Sequence, residues 1–78
     1  MRKKELRVII TFRHTTSAMA FENLCKESRV EGRIIPVPRC ITAGCGLCWS
    51  APPQTIQSLM DMMKQHYIDY DQIYELEI

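Results

Sequence analysis

The chain opens on a run of β-branched and aromatic residues, Leu6 to Phe12 (LRVIITF), with Val8, Ile10 and Phe12 falling on one face of an extended segment. That is the pattern of a buried strand. Thr15 or Thr16 is placed to cap a helix, along which Ala18, Phe21, Leu24, Cys25 and Ser28 recur at helical spacing; Glu22 and Lys26 form an i,i+4 pair on its outer side. Gly32 is expected to turn the chain out of this helix. Arg33 to Val37 (RIIPV) reads as an edge strand, because Pro36 has no N–H to give a ladder.

After Pro38 the chain runs through turn-formers and cysteines to a short strand, LCWSA, with Leu47, Trp49 and Ala51 on one face and Cys48 and Ser50 on the other. Pro52 and Pro53 end it and suit the first turn of a second helix. There Ile56, Leu59, Met60, Met63 and Tyr67 make a core-facing stripe. Tyr70 to Ile78 (YDQIYELEI) is expected to be the last strand. The order βαββαβ predicts an α+β ferredoxin-like sandwich, an antiparallel sheet in the order 4-1-3-2 with both helices on one face. At 78 residues it is one domain, residues 1–78.

Composition narrows the function. A chain that is 46% hydrophobic and 24% charged is ordinarily globular. No apolar run approaches the roughly 20 residues of a membrane span, and no signal peptide is visible, so a cytoplasmic protein is expected. The net charge is +1, yet residues 1–39 hold nine Lys/Arg against four Asp/Glu, and residues 40–78 hold one against five. With the first strand beside the last, Arg2, Lys3, Lys4 and Arg7 are expected to neighbour Glu75 and Glu77. Nucleic-acid binding is disfavoured, since the exposed aromatics and Lys/Arg-Gly-Phe-like motif of the RNA-recognition version of this fold are missing and Trp49 falls on the core face. The opposite face, with Ile9, Thr11 and Ile73, is a candidate homodimer surface.

Three of the four cysteines crowd into nine residues, Cys40, Cys45 and Cys48, in the loop joining strands two and three. The topology sets that loop at the end of the sheet where Arg13, His14 and the start of the first helix are expected. Cationic neighbours and helix N-termini favour a thiolate, the nucleophilic form. Gly44 and Gly46 flank Cys45, leaving its sulfur open to a large partner and letting backbone amides form an anion-holding nest. A tight hairpin with a structural Cys45 is the plainer account. Arg39 is a further candidate for an anionic group and His14 for proton transfer; His66 suits the negative end of the second helix.

The segment Ile34 to Leu47, IIPVPRCITAGCGL, resembles the loop of the selenium/sulfur carrier protein-like family, a small bacterial family, most specifically at Pro36, Pro38, Arg39, Cys45 and Gly46. The opening VIITF, the Thr-rich start of the first helix and the closing IYEL fit the family's ends, so the likeness spans nearly the whole chain. The resemblance implies a carrier that holds sulfur or selenium on Cys45 as a persulfide or selenylsulfide. It would receive this from a donor such as a cysteine desulfurase and pass it to an acceptor enzyme, with no cofactor and no turnover of its own. Cys40 and Cys48 depart from the family pattern and open other readings.

Cys40-x4-Cys45-x2-Cys48 matches three ligands of a plant-type [2Fe–2S] site, but no cysteine follows; zinc on three cysteines plus His14 or His66 meets a similar shortage of paired ligands. Cys45 and Cys48 also spell CxxC, although an extended i,i+3 pair lies beyond disulfide reach. Cys40 is better placed to act as a resolving thiol. A protein-binding adaptor domain is the alternative from a different functional class.

Overall fold

The computed structural model describes residues 4–41 and 45–78. Arg2, Lys3 and Gly44, all named above, lie outside the described residues. The chain folds as β1 (Leu6–Thr11), α1 (Thr15–Ser28), β2 (Arg33–Pro36), β3 (Leu47–Ala51), a 3-10 turn (Pro53–Thr55), α2 (Ile56–Gln65) and β4 (Ile73–Glu77). The sheet order is β2-β3-β1-β4, every neighbouring pair antiparallel, which is the expected 4-1-3-2 arrangement read from the other edge.

Alternation across the pleat sorts the side chains into two clusters. Val8, Ile10, Phe12, Trp49 and Ala51 face the helices and meet Ala18, Phe21 and Cys25 of α1 and Leu59, Met62 and Met63 of α2. Phe21 is the hub of this core: its ring lies 5.7 Å from Phe12 and meets Trp49 edge-on at 5.5 Å. Gly32 belongs to the same packing. A Cβ there would stand 2.6 Å from the Trp49 ring, so its role is close approach, with φ at +147°. The turn out of α1 is made instead by Arg29, in the left-handed region at φ 57°, while the Val30 N–H reaches back to the Cys25 carbonyl at 2.9 Å.

The other sheet face carries no helix but is not bare. Ile9 and Cys48 are fully buried beneath Ile41, which the β2–β3 loop folds back onto them, with Ile35, Val37, Tyr74 and Leu76 alongside. The expected dimer surface is therefore corrected: Ile9 and Thr11 have no exposed area, and Ile73, opposite Ile10 in the register, lies on the helix side.

Further expectations give way to local geometry. His14, not a threonine, occupies the N-cap position of α1, and it caps without a side-chain hydrogen bond. Tyr67 leaves the α2 stripe, because the helix ends at Gln65; Tyr67 then adopts φ 55° and is 92% exposed, while Met62 takes the buried place. The basic N-terminal segment does not pair with Glu75 and Glu77 through Arg7. Arg7 is opposite Leu76, so its side chain emerges on the helix-free face, where it bonds Ser50 and lies 3.9 Å from Glu5. Among the described residues, charge pairing between the two halves of the chain runs from Arg13 to Asp69 at 3.2 Å and Asp71 at 3.7 Å.

Candidate functional site

The β2–β3 loop is held at three places. The Val37 N–H donates to the Gly46 carbonyl at 3.0 Å, extending the ladder one step past Pro36 and Leu47. The Ile41 N–H donates to the Pro38 carbonyl at 3.0 Å, closing a turn with Arg39 and Cys40 at its tip, both exposed. Ile41 itself is anchored under the sheet at 8% exposure. These restraints fix both ends of the segment that carries Cys45.

Cys45 is half-buried against the helix-side core, and its sulfur is engaged locally. The Leu47 N–H donates to Sγ at 3.4 Å, and the thiol donates to the Leu47 carbonyl at 3.3 Å. A backbone N–H aimed at sulfur is a donor that a thiolate retains after losing its proton. Gly46 has φ 77°, a conformation that disfavours any side chain, and among the described residues beyond its chain neighbours no atom lies within 4 Å of where its Cβ would be.

The other cysteines differ sharply in setting. Cys25 is buried in α1, and burial pushes its thiol up to about 11 from the ordinary 9.0. Cys48 is buried on the opposite sheet face from the core that Cys45 leans on; burial, aided by charge on Cys45, pushes it likewise to about 11. Both are held as neutral thiols near pH 7. The CxxC spacing therefore brings no dithiol pair to one face, and all four cysteines are free. Among the described residues, no three His, Cys, Asp or Glu side chains gather as metal ligands.

Of the expected companions, Arg39 and Cys40 share the loop tip. His14 is exposed at the start of α1, at the same end of the sheet. Arg13 is engaged in ion pairs of its own. Its guanidinium is held by Asp69 and Asp71 on the β4 side of β1, whereas Cys45 precedes β3 on the other side. Sequence reasoning missed Leu47, whose contribution is backbone and has no residue signature, and Ile41, whose isolated apolar side chain among loop-formers was the available signal.

The profile of the family described as Putative Se/S carrier protein-like matches residues 7–75, and the chain belongs to that family. No curated protein and no solved structure matches it.

Proposed function

We propose that this protein carries sulfur or selenium on the Cys45 thiol, taking it from a donor enzyme's persulfide or selenylsulfide and delivering it to an acceptor enzyme. The observation that carries the reading is the setting of Cys45: a half-buried residue whose sulfur receives a backbone N–H, beside a glycine at positive φ. Loading is a thiol exchange. The Cys45 thiolate attacks the terminal sulfur of the donor persulfide, a new S–S bond forms to Cys45, the donor's S–S bond breaks, and the donor cysteine leaves as a thiolate. Sulfur changes hands with no net oxidation, and selenium takes the same course.

Delivery repeats the exchange, with the acceptor as nucleophile. Arg39 and the loop amides around Gly44 and Gly46 are the groups that would steady the anionic persulfide, with His14 serving proton transfer at the same end of the sheet. No helix among the described residues is long and apolar enough to cross a membrane. A cytoplasmic site of action fits the reducing conditions a free thiol carrier needs.

The test is intact-mass measurement after incubating the reduced protein with a cysteine desulfurase and free cysteine. The wild type and Cys40→Ser gain the mass of one sulfur atom, removable by a reductant, and Cys45→Ser does not. Sulfur uptake by Cys45→Ser equal to that of the wild type sinks the proposal.

A further inference from the structure

On the helix-free face, a groove of about 830 Å³ runs beside the edge strand β2 toward the end of the sheet away from Cys45. Ser50, a polar residue only 3% exposed, lines it. Arg7 enters from β1 with its side chain 20% exposed, donating from Nε to the Ser50 hydroxyl at 3.1 Å and from a terminal nitrogen to the Ser50 carbonyl at 3.3 Å. A guanidinium has five N–H donors, and Ser50 takes two. The carboxylate nearest Arg7 is that of Glu5, at 3.9 Å and 71% exposed, which is too long for a hydrogen bond and well solvated. Arg33 stands directly opposite Ser50 in the β2–β3 register, so a second guanidinium lines the groove from the other side.

Among the described residues two carboxylates, Glu5 and Glu31, also line it, and Ile35, Pro36 and Ile78 supply apolar wall. This combination selects by sign. A simple anion meets both arginines but also both carboxylates, and a simple cation meets the reverse. A ligand bearing both charges satisfies both sets, while an apolar tail lies on the walls.

We propose that this groove binds a small zwitterion of the α-amino-acid type, its carboxylate on Arg7 and Arg33, its ammonium toward Glu5 and Glu31, and its apolar side chain against Ile35 and Ile78. Bidentate guanidinium–carboxylate pairing gives the site its orientation. Ser50 fixes Arg7 before any ligand arrives, which reduces the ordering that binding requires. The groove is distinct from the Cys45 loop and does not depend on a carrier role.

The experiment is an amide NMR titration of the full chain with L-leucine, with 4-methylpentanoate, which lacks the ammonium, and with isopentylamine, which lacks the carboxylate, all at matched ionic strength. Leucine gives saturable shifts at Gly32, Arg33 and Ser50 and leaves Cys45 unmoved; the carboxylate alone binds more weakly and the amine most weakly. Arg33→Gln, at an exposed edge position, keeps the wild-type spectrum elsewhere and weakens leucine binding by about tenfold or more, the effect of losing a charge-assisted hydrogen bond. The proposal is overturned if leucine shifts match those of sodium chloride, if the amine binds as well as leucine, or if Arg33→Gln leaves the affinity unchanged. The four charges would then serve only one another.

Discussion

Replacing Gly32 by alanine tests the packing that holds the edge strand to the core. The added methyl would stand 2.6 Å from Cε2 and Cζ2 of Trp49 and 2.7 Å from Nε1, roughly 1 Å inside the ~3.5–4.0 Å separation that carbon contacts favour. The indole has little room to retreat, because it is 1% exposed and the Phe21 ring stands edge-on against it. Overfilling a packed core costs about 1–3 kcal/mol. The φ of +147° adds strain of about 1–2 kcal/mol for a residue with a Cβ. The sum, about 2–5 kcal/mol, is a large part of the roughly 4–12 kcal/mol that a domain of 78 residues possesses.

Urea unfolding measures it, followed by circular dichroism and by the fluorescence of Trp49, the only tryptophan in the chain. Gly46→Ala is the internal control. Its φ is also positive, but nothing lies within 4 Å of the new methyl, so it loses only about 1 kcal/mol. In a Trp49→Phe background, where the ring is smaller, Gly32→Ala recovers part of its loss. A Gly32→Ala protein no less stable than Gly46→Ala refutes the close-approach argument.

The thiols supply two further outcomes. In the native protein near pH 7, Cys40 and Cys45 react with a disulfide reagent, while Cys25 and Cys48 wait for unfolding; four fast thiols in the folded state contradict the burial described. Because Cys25 and Cys48 ionise near 11 when folded and near 9.0 when exposed, their contribution to stability is complete below pH 9. It is lost as pH rises from 9 toward 11, by at most about 1.4 kcal/mol per pH unit for each thiol. Urea midpoints measured across that range check the slope, and a Cys25→Ala, Cys48→Ala double variant flattens it. Arg29→Gly stabilises the protein by about 0.5–1 kcal/mol, since glycine adopts the φ of 57° without the cost a side chain bears there. A lower melting temperature for this variant speaks against the left-handed cap.

What could be read beforehand followed from strong local patterns. Leu47 to Ala51 is bounded by glycine and proline, and its alternation assigns Trp49 and Cys48 to opposite faces without further information. The sheet order follows from the element order alone. Errors arose where one residue decides between outcomes. Tyr67 continues the spacing of Met63, yet α2 stops two residues before it, and only the cap geometry reveals that. The face of Ile73 depends on the β1–β4 register, which alternation within one strand does not give; pairing with Ile10 puts it on the helix side. Two aspartates in the α2–β4 turn, distant in sequence, engage the Arg13 guanidinium, a pairing that no local pattern announces. At the cysteine loop, sequence singled out Cys45 through its glycines, whereas its actual hydrogen-bond partners belong to the backbone of Leu47 and were invisible.

The placement of Cys45 and Cys48 on opposite sides of the sheet bears on how long a cargo would last. A neighbouring thiol within the same molecule can discharge a persulfide at an effective concentration set by the tether and its geometry. Here the nearest cysteine in sequence is behind the backbone sheet, buried and protonated. Under the proposed carrier role, sulfur on Cys45 would be insulated from that internal short circuit. Its release would then be governed by whoever reaches the loop from outside, the exposed Cys40 at the tip being the proposed resolving thiol.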